Sequence, residues 1–343
     1  MGSRRRTTLG LLALGVTVAH ARSRSRRDPH AERIAQLDAQ DDHEEIGALV
    51  ATYAFPWDSE TALSLALFRT YAVPTVSRIL LDSEAFTGDT RKRYDDTELL
   101  LAEPQQHGYD SPRGKEALRR INRMHAAYPI RPIDLTYVLS TFVAEPSRWI
   151  ARYGWRDLTD HEREALWRYW RELGARMGVP DLPETWQEFL DWNDRFERSE
   201  FRYDPANHAV ADATMRMYLT SVYKVPAALV PLVRPVALAL LEPFVVEALG
   251  FAQPPRWLRW AVPAGLRTRA RVQHRFLPAR RTPVRLTERA RPTYPGGYAI
   301  AQLGTFPDPD HAAEAGARDG VLPRDVPAST AAPRAAVVGP APR

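Results

Sequence analysis

Residues Arg91–Tyr128 read RKRYDDTELLLAEPQQHGYDSPRGKEALRRINRMHAAY. Two consecutive helices are expected in this stretch. Asp95–Glu103 carries a short apolar run, Leu99–Leu101. Pro112–Tyr128 is opened by Ser111 as a cap and by Pro112 at a first-turn position that needs no N–H, and it is stopped by Pro129. On the second helix Leu118, Ile121, His125 and Tyr128 follow one another at +3, +4 and +3, so they share a face, while Arg119, Arg120 and Arg123 turn away from it. A histidine therefore points at the interior. It is either a core histidine with both nitrogens hydrogen-bonded or a ligand. On the first helix Arg93 and Thr97 are four residues apart and can meet a single ligand. The competing role for Arg93 is an ion pair with Asp95 or Asp96.

The rest of the chain limits the chemistry that such a site can perform. With 343 residues, 44% of them hydrophobic, and nine Trp and thirteen Tyr, the chain can bury a sizeable core with large apolar cavities or grooves, and a single all-α domain is expected. There is no cysteine, which removes thiolate haem ligation, ordinary iron–sulfur clusters and disulfides. A haem in this chain would need histidine or, less commonly, Tyr or Met. The net charge of +5 comes largely from Arg4–Arg6, Arg22–Arg27 and a basic stretch from Arg267 to Arg291. No nucleic-acid motif accompanies these charges, so no nucleic-acid partner is expected; basic segments near an apolar terminus suit an anionic membrane surface better.

Other enzyme classes lack their anchors. The sequence has no His-Glu-x-x-His, Gly-x-Ser-x-Gly, Gly-x-x-x-x-Gly-Lys or Gly-x-Gly-x-x-Gly. A di-iron carboxylate bundle would also be all-helical and free of cysteine. It needs paired Glu-x-x-His motifs, and none of the nine histidines has a Glu three residues before it.

In chain order, residues 1–27 combine a basic start, an apolar run from Thr7 to Val18 and the small-x-small triplet Ala19-His20-Ala21. The run is too short to span a membrane comfortably. It reads either as an export signal, with Arg4–Arg6 fitting the twin-arginine type, or as an uncleaved anchor. Membrane association or export is therefore expected, with a cytoplasmic location still open. Residues 28–42 read as a polar linker or solvated helix. Helices are expected over Ser59–Arg69, after Pro74, and over Asp134–Tyr153, where Pro146 implies a kink and Glu145 and Arg148 make an i,i+3 pair. Thr159–Glu162 has the form of a capping box and opens a helix to about Met177, with His161 exposed in its first turn. Pro183–Glu200 is a further packing helix.

Asn207-His208 contributes a second histidine worth testing as a contact, although a hydrogen-bonded helix-start role is the plainer reading. The prolines, Arg234 and Glu242 between Val225 and Phe251 argue against a spanning helix and for a buried, kinked helical pair, with membrane-surface contact as the alternative. Trp257 and Trp260, beside Arg256 and Arg259, fit either a membrane interface or a helix covering the core. Residues 307–343 are rich in Ala, Pro and Arg and are expected to be disordered.

Four words in order, RYDDT (93–97), INRMHAAYPI (121–130), STFVAEPSRWIARYGWRDL (140–158) and YPGGYAIAQLG (294–304), resemble the MpaB family of haem-dependent oxygenases. That family includes the rubber oxygenases known as latex-clearing proteins. The resemblance spans roughly Asp42 to Phe306, and its specificity lies in the order of the words, since no single one is distinctive. It implies a multi-helix catalytic domain over 43–306 enclosing a b-type haem, with His125 as the axial iron ligand and Arg93 and Thr97 as the Arg-x-x-x-Thr pair that supports haem binding and activity. It further implies O2-dependent cleavage of a carbon–carbon double bond in an apolar, isoprenoid-like or polyisoprenoid substrate, with an electron donor as a further partner. The alternatives are a haem-free, membrane-associated helical scaffold and a haem hydroxylase or peroxidase.

Overall fold

A chain with 29 prolines is an unusual candidate for an all-helical protein, and the placement of those prolines explains how it becomes one. In the computed structural model, which describes residues 29–83 and 89–305, proline opens α3 (Pro56–Thr70), α4 (Pro74–Asp82), α6 (Pro112–Ala126), α7 (Pro132–Tyr153), α10 (Pro205–Met217) and α12 (Pro243–Ala248). At the first turn proline loses no hydrogen bond, and its fixed φ is already helical. The other helices are α1 (Pro29–Ile34), α2 (His43–Leu49), α5 (Thr90–His107), α8 (Asp160–Arg176), α9 (Trp186–Glu200), α11 (Val230–Leu238) and α13 (Arg256–Phe276). No strand occurs among the described residues beyond one isolated bridge, Arg291 to Tyr294. The signal-like segment 1–27 and the tail 307–343 lie outside the described residues.

Side-chain caps set several helix starts. Ser111 accepts from Gly114 N, Thr185 from Glu188 N and Asp204 from Ala206 N, while Thr159 and Glu162 form the expected reciprocal capping box. Helix α5 departs from its expected bounds of Asp95–Glu103. It starts at Thr90 because Asp89 caps it by accepting from Lys92 N, and it runs through Pro104 to His107. Gly108, at φ +85°, then reverses the chain.

Three further expectations are corrected. Residues 29–42 are neither a loose linker nor a fully solvated helix, because α1 and the turns after it place Ile34, Leu37 and Ala39 in a core cluster with Ile46 and Phe55. His161 is only partly exposed, and its Nε2 is enclosed without a hydrogen-bond partner among the described residues. The segment beginning at Val225 is not fully buried. Pro226–Leu229, Pro231 and Leu232 face outward, and of α11 only Val230 and Leu238 are buried.

Two large apolar clusters organise the domain. One gathers α5 to α9, including Leu100, Ile121, Leu139 and Trp170. The other gathers α3 and α10 to α12, including Tyr71, Met217 and Val246. Residues 286–305 lie across α5 and α6 and cover them: Ile300 and Leu303 are buried in the first cluster.

Candidate functional site

Where the two clusters meet they leave an apolar cavity of about 210 Å³. Its wall takes Leu100 and Ile121 from one cluster, Tyr71 and Met217 from the other, and Leu80 from α4. Arg93, Thr97 and His125 all line it, so the three residues singled out by spacing converge on one space.

The local sequence explains how they get there. Helix α5 is buried on both sides. Its cavity side carries Arg93, Thr97, Leu100 and Leu101, and its far side carries Asp95, Asp96 and Glu103, all fully buried. Those carboxylates are held by the C-terminal strap. Arg291 donates to Asp95 Oδ1 at 2.7 Å and also pairs with Glu98, Thr293 donates to Asp95 Oδ2 at 2.6 Å, and Tyr298 donates to Glu103 at 2.5 Å. Tyr294 donates to Asp96, as does the backbone N–H of Gly304 at 2.9 Å. Arg91 and Lys92 complete the shell with i,i+4 pairs to Asp95 and Asp96. The anticipated pairing of Arg93 with these aspartates is therefore not made; both already have other cations.

Arg93 turns to the cavity instead. One of its amino groups donates to Thr97 Oγ1, and Thr97 in turn donates to the carbonyl of Arg93 at 2.9 Å. The Nε of Arg93 is enclosed with no hydrogen-bond partner among the described residues. Leaving a buried donor unsatisfied is costly, and a guanidinium without a carboxylate is therefore poised to meet an acceptor.

His125 lies on the facing helix. Burial, and then the charge of Arg93, push its pKa down to about 4, so the imidazole is neutral at neutral pH. Among the described residues neither ring nitrogen has a hydrogen-bond partner, which leaves a lone pair available. The strap also reaches this helix. Arg120 donates to the carbonyl of Leu303 at 2.7 Å, so Arg120 is not simply turned to solvent. Gly304, at φ +85°, passes so close to Met124 that an added Cβ would lie 2.0 Å from its sulfur. The positive φ favours glycine there, and a side chain would displace Met124, which directly precedes His125.

Tyr128 was legible as the continuation of the His125 face but was not assigned a role. It lies past the end of α6, lines the same cavity, and has a buried hydroxyl without a partner among the described residues. The other residues considered lie elsewhere. His208 bonds the carbonyl of Leu249 through Nδ1 at 3.0 Å, and Asn207, fully buried, donates to the carbonyls of Arg202 and Ala248. Both hold the start of α10 to the end of α12. Glu145 and Arg148 pair at 3.1 Å within a buried charge cluster around Arg69, away from the cavity wall.

The family model described as "ER-bound oxygenase mpaB/B'/Rubber oxygenase, catalytic domain" matches residues 59–275. Among individual proteins, the chain is 31% identical over 195 residues to ER-bound oxygenase mpaB of Penicillium brevicompactum, covering 52% of this chain and 50% of that protein. It is 28% identical over 280 residues to mpaB' of the same organism, covering 76% and 62%. It is 30% identical over 215 residues to mpaB of Penicillium roqueforti (strain FM164), covering 57% and 72%. The chain thus spans about half the length of the first relative and 62% of the second. With the matched region containing α4 to α12, and with them Arg93, Thr97 and His125, the chain belongs to the mpaB/rubber oxygenase catalytic-domain family.

Proposed function

We propose that this protein is a haem b-dependent oxygenase that uses O2 to cleave a carbon–carbon double bond in an apolar, isoprenoid-like substrate, with His125 as the axial ligand of the iron. The observation that carries the reading is a neutral imidazole without hydrogen-bond partners in an apolar cavity, accompanied by a guanidinium that has no carboxylate.

The donor chemistry of the residues present fits the group. In a chain without cysteine the axial donor must be nitrogen or oxygen, and His125 offers an unprotonated nitrogen. Arg93 offers a fork of donors suited to a propionate, and Thr97 fixes its rotamer by the mutual hydrogen bonds between them. When bound, haem supplies the redox chemistry towards O2 that no side chain here possesses. The protein's own contribution is to exclude water with the aliphatic wall, to hold the imidazole neutral, and to keep one positive charge at the cavity edge. The same wall gives an alkene or isoprenoid chain a dry environment and offers few groups to a polar one. An electron donor and O2 are the further partners of this reading.

Membrane association belongs to the same proposal. The relatives are named ER-bound, whereas no described helix here is long and apolar enough to cross a membrane.

The test is an absorption spectrum of protein expressed with ample haem. Wild type should show a Soret band, His125→Ala should lose it, and His161→Ala should keep it. Equal haem in wild type and His125→Ala would remove His125 as the ligand. Products from an alkene substrate under ¹⁸O2 separate cleavage, which labels both carbonyl fragments, from hydroxylation, which labels one alcohol.

A further inference from the structure

Between Glu247 and Glu288 the sequence contains no acidic residue and nine arginines. Helix α13 occupies the middle of this span, and only Leu258 and Ala270 of its residues are buried. Its outward stripe is ordered along the axis. Trp257 and Trp260 come first, followed by Arg267, Arg271 and Arg275 at +7, +4 and +4, all exposed on one side of the helix. The two indoles are among the most exposed large apolar groups of the described chain, at 66% and 76%. Of the arginines, Arg269 is committed to Asp58 at 3.2 Å. Arg256, Arg259, Arg271 and Arg275 have no acidic partner among the described residues.

A second apolar exposure adjoins this helix. α13 packs against α11, whose N-terminal approach, Pro226–Leu232, is PAALVPL, with Leu232 exposed at 74%. An apolar segment that faces water at every residue but Val230, beside an acid-free basic helix, is complementary to one kind of surface, a headgroup layer carrying negative charge over hydrocarbon. Indoles favour the boundary between the two, and arginines favour its phosphates. A nucleic-acid backbone would account for the arginines but would give Leu229 and Leu232 nothing to contact.

We propose that α13 and the adjoining Pro226–Leu232 segment form a monotopic docking face for an anionic lipid surface, with Trp257, Trp260 and Leu232 entering the headgroup region and the unpaired arginines on phosphates. The proposal rests on the membrane-association reading above and names the surface responsible. Its position suits an apolar substrate. Leu80, which lines the cavity, packs in the same cluster as Val225 and Val230, the residues on either side of the exposed Pro226–Leu229. The docked face and the cavity wall thus share one apolar cluster.

The experiment uses the full chain and vesicles of phosphatidylcholine alone or mixed with phosphatidylserine. Wild type should sediment with the mixed vesicles and much less with the neutral ones. Lipids brominated in the upper acyl chain should quench part of its fluorescence, and that quenching should vanish in Trp257→Phe/Trp260→Phe. Arg271→Glu/Arg275→Glu should weaken binding to mixed vesicles by roughly thirty-fold or more, on the scale of about one kcal/mol for each basic residue near such a surface. The folds of these surface variants are checked by circular dichroism.

Vesicle binding by wild type with unchanged quenching and affinity in both variants would overturn the docking face while leaving membrane association standing through another part of the chain. No vesicle binding by wild type at all would overturn both. Tight duplex DNA binding that is lost in Arg271→Glu/Arg275→Glu and retained in Trp257→Ser/Trp260→Ser would reassign the face and overturn the lipid proposal. None of these outcomes depends on haem.

Discussion

Arg69 on α3 and Arg93 on α5 are two guanidinium groups inside one helical domain, and the structure treats them in opposite ways. Arg69 is surrounded by acid. It donates to both oxygens of Glu197, at 2.9 and 2.6 Å, and to Glu242 at 2.6 Å, lies 3.2 Å from Glu145, and packs over the ring of Phe244. Its carboxylates come from α7 and α9 and from the residue that leads into α12, so one side chain ties four parts of the chain together. Arg93 has a threonine and an unpaired Nε. Arg148 on Glu145 and Arg152 on Glu242 bring the cluster into charge balance, and a saturated cluster of this kind is a fastener. A charge left short of partners in an apolar hollow costs stability, and such a cost persists where a ligand makes it good.

The largest effect expected from that contrast is at the fastener. Arg69→Ala leaves Glu197 and Glu145 buried among one another without their common cation, and removing one partner of such a set costs about 3–5 kcal/mol. Chemical denaturation of the cofactor-free protein should show a loss of this size. Arg69→Met should recover little of it, because volume is not what the carboxylates lack. A loss under about 1 kcal/mol would mean that the cluster reorganises or admits water, and the contrast with Arg93 would fail.

The two sites also differ in how much of them the sequence disclosed. His125 was legible because a 3.6-residue period puts it on a face with Leu118 and Ile121, and Arg93 and Thr97 because four residues bring two side chains to one side of a helix. The capping box at Thr159–Glu162 and the proline-opened helices were legible because their chemistry lies within a few residues. The Arg69 cluster was not. Its members are scattered from residue 69 to residue 242, and no local rule links them. The strap on α5 was hidden for the same reason: Arg291 and Asp95 are 196 residues apart. Asp95 and Asp96 even pointed the wrong way, suggesting themselves as partners for Arg93 while their cations lay elsewhere. The start of α5 was missed because RKRY is polar and carries no apolar period, so the Asp89 cap ahead of it went unread. The outward turn of Pro226–Leu232 took second place to burial because an apolar run looks the same whether it meets a core or a bilayer.

A smaller effect sharpens the cavity side of the contrast. His125 titrates at about 4 in the folded protein, below the ordinary value of 6.5. Between those values the unfolded chain takes up a proton that the native imidazole refuses, so stability falls as pH drops from about 6.5 to about 4 and this contribution levels off below that. The size is about 3 kcal/mol on the usual scale of 1.4 kcal/mol per pH unit. Denaturation of cofactor-free wild type and His125→Leu across this range should show the acid-dependent loss in the first and its absence in the second. Parallel curves would mean that the imidazole is solvated or paired, and the uncompensated character of the cavity would be lost with it.

The smallest effect is the most discriminating one. Arg93→Met replaces a guanidinium with one hydroxyl partner by an apolar chain that fills similar space. Thr97 is not stranded by the change, since its hydroxyl already donates to the carbonyl of residue 93 and keeps that bond whatever the side chain. The variant loses one neutral-acceptor hydrogen bond and also loses an enclosed Nε that had none, so in the cofactor-free protein the two nearly cancel, within about 1 kcal/mol. Tyr128→Phe follows the same logic, because the hydroxyl it removes is buried without a partner among the described residues. If Arg93 is there to serve a bound group, Arg93→Met should bind haem poorly while unfolding at nearly the denaturant concentration of wild type, the reverse of Arg69→Ala. A destabilisation comparable to that of Arg69→Ala would instead place Arg93 among the fasteners, and the cavity would lose the charge that distinguishes it from an ordinary packing defect.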